Sequence, residues 1–227
     1  MSDMELVVFD MAGTTFEDSG QVPGAFTAVL HAHGIDVTAD ELTAVRGASK
    51  REAICRFVER RFPGSEVEVG TLAGRIFDDF RAHLAESYAQ GGVRVLPGVE
   101  RTFEWLHARG VKVALTTGFD RFITETVLGI AGWKPPLFDA VVCGDDVSRG
   151  RPAPYLIFHA MEATGTVSVR RVACVGDTAL DLEAGCNAGV LWNIGVLSGA
   201  HGRDRLERAP HTHIVEGVAA LPALWEA

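Results

Sequence analysis

The sequence predicts an α/β fold: a doubly wound, mainly parallel sheet, interrupted after its first strand by an all-helical insertion. Three observations predict it. Short apolar runs ending in acids or hydroxyls alternate with helical patterns through the C-terminal half, as strands joined by crossover helices do. From Ser19 to Val93 the patterns are helical only. The 227 residues, 47% hydrophobic and 22% charged, have globular proportions and enough length for a core carrying a smaller inserted unit.

The elements follow in order. Met4 to Asp10, MELVVFD, is a short apolar run ending in an acid, as a buried parallel strand reads. The small, polar stretch MAGTTFEDSG is a loop. Helical patterns then run from Pro23 to about Phe80 and from Thr71 to Tyr88, punctuated by Gly34, Gly47 and Pro63-Gly64. Gly91-Gly92 makes a joint, and Pro97 opens a helix reaching Arg109-Gly110. Strands are expected at 111–117, 139–146, 171–177, 191–197 and 211–217, with helices at 120–132, 155–165 and 180–189 and a closing segment at 218–227. The division expected is a core of residues 1–18 and 94–227 and a helical unit of residues 19–93.

Composition excludes several classes. There are 30 Asp and Glu against 21 Lys and Arg, a formal charge of −9, so neither a nucleic-acid surface nor an anionic membrane is an expected partner. No apolar stretch reaches the roughly 18 residues of a membrane span. The N-terminus MSDMELVVFD lacks the basic region of a secretion signal, so a cytoplasmic location is expected. Cys55, Cys143, Cys174 and Cys186 form no CxxC pair and read as reduced, mostly buried thiols. His31 and His33 fall on different helix faces. His211 and His213 could share a strand face, but no acid or thiol lies near them in sequence, and they read as surface histidines.

In open α/β sheets ligands lie beyond the carboxyl ends of the strands. Here those ends carry Asp10, Thr116-Thr117-Gly118, Asp145-Asp146 and Asp177. Each acid alone reads equally well as a turn residue or helix cap. Together they place carboxylates, a hydroxyl and backbone N–H groups at one sheet edge, a cradle suited to Mg²⁺ and a phosphoryl group.

DMAGTT, LTTG, GRPAP and GDTALD, in that order, resemble the four motifs of the haloacid dehalogenase superfamily, and the resemblance covers nearly the whole chain. It implies a Rossmann-like core with a type I helical cap at the insertion. It also implies an aspartyl nucleophile, Asp10, and Mg²⁺ held by the Asp10 carboxylate, the Ala12 carbonyl and Asp177. Thr117 and the Gly118 N–H would bind phosphoryl oxygens, and Arg151 would neutralise phosphoryl group and nucleophile. A dianion repels a carboxylate nucleophile, so such a site needs a divalent cation and a fixed guanidinium. Asp181, four residues after Asp177, would orient Arg151 or a metal-bound water.

Most phosphatases and mutases of that superfamily carry an acidic residue two positions after the nucleophile, where this chain has Ala12. A methyl group transfers no proton, and losing a general acid costs about 10²–10⁴ in rate. DMAGTT, the run Arg46-Gly47-Ala48-Ser49-Lys50 and DDVSRGRPAP resemble the phosphonoacetaldehyde hydrolase (phosphonatase) family. There a cap lysine forms a Schiff base with the substrate aldehyde, so the leaving group is an enamine and needs no acid at position 12. Ser49 and Glu52 read as a capping box, placing Lys50 at the first helical position near Arg46 and Arg51. Helix dipole and neighbouring cations would all lower its pKa.

The sequence departs from that family at Arg46 (Met there), Ala53 (His) and Phe119 (Tyr). Arg46 would add a cation for a second negative charge on the substrate. The expected activity is Mg²⁺-dependent C–P hydrolysis of phosphonoacetaldehyde or a related carbonyl phosphonate. The alternatives are a phosphatase for small monoesters with good leaving groups and a non-catalytic phosphoryl-ligand binder. A sugar phosphomutase needs proton transfer, and a 2-haloacid dehalogenase dispenses with the acids at 177 and 181, so both are disfavoured. The expected partner is a small anionic phosphonate or phosphate, and a homodimer is the assembly considered.

Overall fold

The computed structural model describes residues 4–226; residues 1–3, which open the N-terminal stretch discussed above, and Ala227, which ends the closing segment, lie outside the described residues. Among the described residues, six strands form one all-parallel sheet: β1 (Leu6–Asp10), β2 (Lys112–Thr116), β3 (Ala140–Val142), β4 (Val172–Gly176), β5 (Trp192–Val196) and β6 (His213–Val215). Their order is β3-β2-β1-β4-β5-β6. The chain therefore winds outward from β1 in both directions, and the crevice where the order reverses lies between β1 and β4.

Side-chain alternation explains why both faces are covered. In β1, Val7 and Phe9 join the apolar cluster containing Val113, Leu115 and Phe103. Leu6 and Val8 point the other way, to Ala114, Leu156, Ile157 and Ala160. Helices α5 (Val99–His107) and α7 (Tyr155–Thr164) supply those opposing layers, and α6 (Arg121–Ala131) and α8 (Ala179–Ala188) lead away from the carboxyl ends of β2 and β4. Two short helices, α9 (Arg203–Leu206) and α10 (Leu221–Glu226), close the C-terminal part.

Four helices lie between β1 and α5: α1 (Gln21–Ala32), α2 (Ala39–Ala44), α3 (Lys50–Arg61) and α4 (Glu66–Gly91). Phe26 of α1 packs between Phe80 of α4, at 4.6 Å between ring centroids, and Phe57 of α3, at 6.3 Å. These rings belong to the same continuous apolar cluster as Phe9 of the sheet, so the inserted helices share burial with the core.

The expected strand at 139–146 shrinks to three residues, because Cys143–Asp146 turn back: the Asp146 carboxylate accepts the Cys143 N–H at 2.7 Å. His211 falls outside β6 and bonds the Ala209 carbonyl, while His213 stacks on Trp192, so the two do not share a strand face. Cys143 and Cys174 are buried, Cys55 is half-buried and Cys186 exposed, all unpaired. No helix of the described residues is long and apolar enough to cross a membrane.

Candidate active site

Asp10 ends β1 and Asp177 follows β4, so the two carboxylates flank the crevice at the strand-order reversal. Arg151, from the loop before α7, reaches into it and spreads its planar fork over three partners. Its Nη1 lies 2.8 Å from Asp10 Oδ1, its Nε lies 2.9 Å from Asp181 Oδ1, and Nη2 donates to Thr116 Oγ1 at 2.8 Å. A lysine ammonium lacks the geometry to bridge all three. Asp181 is the third residue of α8 and closes a capping box with Thr178, whose N–H and hydroxyl donate to it. Asp177 accepts from the Thr14 hydroxyl at 3.2 Å and from the Ala200 N–H at 2.7 Å.

Burial and crowding set the electrostatics. Burial raises the Asp10 carboxyl pKa to about 7; Arg151 lowers it, and Asp181 pushes it back up. Burial, then Asp10 and Asp181, raise the pKa of Asp177 well above the carboxylate range. Burial opposes the charge on Arg151, but Asp181 and Asp10 outweigh it and hold the guanidinium protonated. One oxygen from each of Asp10, Asp177 and Asp181 lies within 4.8 Å of the others, and all three residues are buried. Three buried acids facing one guanidinium leave negative charge that a divalent cation would offset, and an all-oxygen donor set suits hard Mg²⁺. Asp10 and Asp177 open onto a common cavity whereas Asp181 lies behind Arg151, so Asp10 and Asp177 are the better-placed metal carboxylates.

Asp10, Ala12, Arg46, Lys50, Thr117, Gly118, Arg151 and Asp177 line a single cavity of about 50 Å³. Asp181 is outside its wall, behind Arg151, and of the strand-end residues Thr116, Asp145 and Asp146 do not line it either. Thr117 Oγ1 accepts the Phe119 N–H at 3.1 Å, which leaves its O–H to donate elsewhere. Arg46 lies 2.5 Å from Asp18 Oδ2, so its charge is already matched at the cavity wall.

Lys50 reaches this cavity from the inserted helices. It is the first residue of α3 and only 8% exposed. Its Nζ donates to the Ala48 carbonyl at 3.2 Å and sits 5.3 Å from the Phe119 ring centroid. Burial lowers its pKa from 10.5 to about 8, against the pull of Asp10, which favours the ammonium. The cause thus differs from the sequence expectation: Arg46 is neutralised by Asp18, Arg51 points to solvent, and desolvation is the largest influence. The approach is close. A methyl on Gly118 would stand 2.4 Å from the Ala48 carbonyl oxygen, so only glycine lets the β2–α6 loop meet the chain before α3.

The capping box expected at Ser49 is half formed. Ser49 accepts the Glu52 N–H at 3.4 Å, but the Glu52 carboxylate turns outward and accepts the Gly150 N–H at 2.9 Å. Sequence reasoning also missed Thr14 and Asp18, and it placed Thr116 at the strand end without its bond to Arg151. Thr14 lies in the DMAGTT motif, two residues beyond Ala12, and that placement was its available signal. The pairing of Asp18 with Arg46 has no local sequence signature.

A family model for haloacid dehalogenase-like hydrolases matches residues 4–189. A phosphonoacetaldehyde hydrolase of Bacillus cereus is 31% identical over 209 residues, covering 87% of this chain and 77% of the relative. A crystal structure of a phosphonoacetaldehyde hydrolase-like protein from Oleispira antarctica superposes with a TM-score of 0.84 at 24% identity, over 98% of this chain and 91% of that one. A β-phosphoglucomutase from Clostridium difficile superposes with a TM-score of 0.82 at 19% identity, over 98% and 96%. The two structural likenesses show the shared fold.

Proposed function

The chain belongs to the haloacid dehalogenase-like hydrolases, and from that premise we propose that it hydrolyses the C–P bond of phosphonoacetaldehyde or a closely related carbonyl phosphonate. The observation that carries the reading is Lys50: a buried amine with a lowered pKa, in the same cavity as Asp10, where the position two after the nucleophile is Ala12. An amine replaces the missing acid only if the leaving group is carbon. The substrate aldehyde condenses with neutral Lys50, losing water to give an imine, which takes up a proton from solvent to become an iminium. Asp10 then attacks phosphorus; the P–O bond forms as C–P breaks, and the departing electron pair moves into the iminium to give an enamine. Protonation and hydrolysis of the enamine release acetaldehyde and free Lys50, and water cleaves the phosphoaspartate to phosphate.

The chain's own groups have defined tasks in this scheme. Arg151 holds Asp10 and bears the phosphoryl charge, a role for which a fixed donor in a dry site is worth about 10²–10³ in rate. The Thr117 hydroxyl and Gly118 N–H receive phosphoryl oxygens. Mg²⁺, when bound by the Asp10 carboxylate, Ala12 carbonyl and Asp177, supplies further charge neutralisation. Residues 19–93 act as the cap, excluding water and delivering Lys50 to the core formed by 1–18 and 94–227. The cavity shared by Asp10 and Lys50 is small, which suits a small substrate. With Arg46 matched by Asp18, the reading requires no second anionic group on the substrate. The −9 charge weighs against nucleic acid as partner, and four unpaired cysteines suit the cytoplasm.

Phosphate release from phosphonoacetaldehyde, other phosphonates and small phosphate monoesters, with and without Mg²⁺, tests the proposal. It requires turnover of phosphonoacetaldehyde above the monoesters. An Ala12→Asp variant that gains monoesterase activity while the wild type ignores phosphonates would favour the phosphatase alternative.

A further inference from the structure

The geometry points to Glu52 as a positioning residue that couples docking of the inserted helices to alignment of Arg151. Four helices carry the sequence pattern of a capping box. In α2, α4 and α8 the box closes, with Glu41, Glu68 and Asp181 returning to their N-cap N–H. In α3 it does not: Glu52 gives up that bond and extends its carboxylate to Gly150, 98 residues away on the core. A helix N-terminus rewards an acid that stays at home, so the outward reach marks a second use for this side chain.

The partner it chooses is the N–H of the residue immediately before Arg151. The contact is tight, since a methyl on Gly150 would stand 3.0 Å from Ser49 Cβ. The inserted segment also touches the guanidinium itself, where Arg151 Nη1 donates to the Gly47 carbonyl at 3.4 Å. Residues 47–52 therefore hold Arg151 at its fork and hold the N–H of Gly150 just before it, while the fork's other contacts are Asp10, Asp181 and Thr116 of the core. When the inserted helices dock, Glu52 fixes the 148–151 loop and the fork falls onto Asp10. Undocked, that loop loses its side-chain anchor and Arg151 is free to leave the nucleophile.

This inference rests on Arg151 facing the nucleophile and is independent of whether the scissile bond is C–P or O–P. p-Nitrophenyl phosphate, whose leaving group needs no general acid, therefore serves as the assay substrate, with Mg²⁺ present. Wild type, Glu52→Ala and Glu52→Gln are compared by kcat and KM, by NMR exchange of the Gly150 amide, and by the Arg151 Nε–H resonance. Glu52→Ala is expected to expose the Gly150 amide, move the Arg151 signal and lower kcat about 10-fold, the size of one lost hydrogen bond to a charged group, with KM within about twofold. Glu52→Gln keeps a carbonyl acceptor and should restore all three. A Glu52→Ala variant with an unmoved Arg151 signal or an unchanged kcat overturns the assignment, as does failure of Gln to rescue. If the wild type hydrolyses no p-nitrophenyl phosphate, the two NMR readouts still decide.

Discussion

Raising the pH through 8 should switch on capture of a carbonyl substrate by Lys50. Desolvation of this 8%-exposed amine is the largest influence on it; Asp10 then favours the ammonium, Arg151 opposes it, and Asp18 and Asp181 favour it again, leaving a midpoint of about 8 in place of 10.5. At pH 7 an amine with that midpoint is neutral about one time in eleven, against about one in 3000 for a solvated lysine, a gain of about 300-fold in the reactive form. A lowered amine pKa means the neutral form grows as pH rises, so the rate should climb from pH 6 and level off above about 9. Replacing Asp10 by Asn removes the strongest charge that favours the ammonium. The Asn variant, though unable to turn over, should therefore trap faster at pH 7, by at most about 11-fold, where the amine is fully neutral. The assay is the initial rate of adduct formation with phosphonoacetaldehyde and cyanoborohydride, read by intact mass and peptide mapping. A midpoint near 10.5, a flat profile, or slower trapping in Asp10→Asn would refute the reasoning.

Arg151→Met should leave Asp10 and Asp181 facing each other without their cation, costing about 3–5 kcal/mol in denaturant unfolding and at least about 10²-fold in kcat. Arg151→Lys should restore little activity, because one ammonium cannot reproduce the three-way fork; kcat near wild type would contradict this. Gly118→Ala should drive the β2–α6 loop from Ala48, with a folding cost of about 1–3 kcal/mol and slower Lys50 trapping, measured by thermal unfolding and by the adduct assay. Mg²⁺ should raise Tm at pH 7.5 and lose that effect towards pH 5.5, because protons compete for carboxylates whose pKa values burial has raised; a shift of equal size at both pH values would count against Asp10 and Asp177 as ligands.

The parts of the site legible in the sequence are those that the strand rule dictates. An acid ending an apolar run, as in LVVFD, must appear at the carboxyl edge of a parallel sheet, and the reversal between β1 and β4 then brings Asp10 and Asp177 together. Lys50 was singled out through the resemblance to the phosphonoacetaldehyde hydrolase family, in which a cap lysine accompanies the missing acid at the position of Ala12. The sequence could not say which distant groups each side chain meets. Thr116 and Thr117 are adjacent and chemically identical, yet strand alternation turns Thr116 to Arg151 and leaves Thr117 on the cavity wall. Arg46 read as a free cation because Asp18 stands 28 residues earlier. Glu52 read as a local cap because the competing donor, Gly150, arrives only when the inserted helices lie on the core.

The central claim is that Lys50 supplies the leaving-group chemistry that Ala12 withholds. ³¹P NMR of phosphonoacetaldehyde with Mg²⁺ and either wild type or Lys50→Arg tests it most directly, with acetaldehyde measured in parallel. The account predicts conversion of the phosphonate signal to inorganic phosphate with one acetaldehyde per phosphate in the wild type, and none in Lys50→Arg, which keeps the charge but forms no imine. Conversion by Lys50→Arg at the wild-type rate, or a wild type that leaves the phosphonate intact, would contradict it.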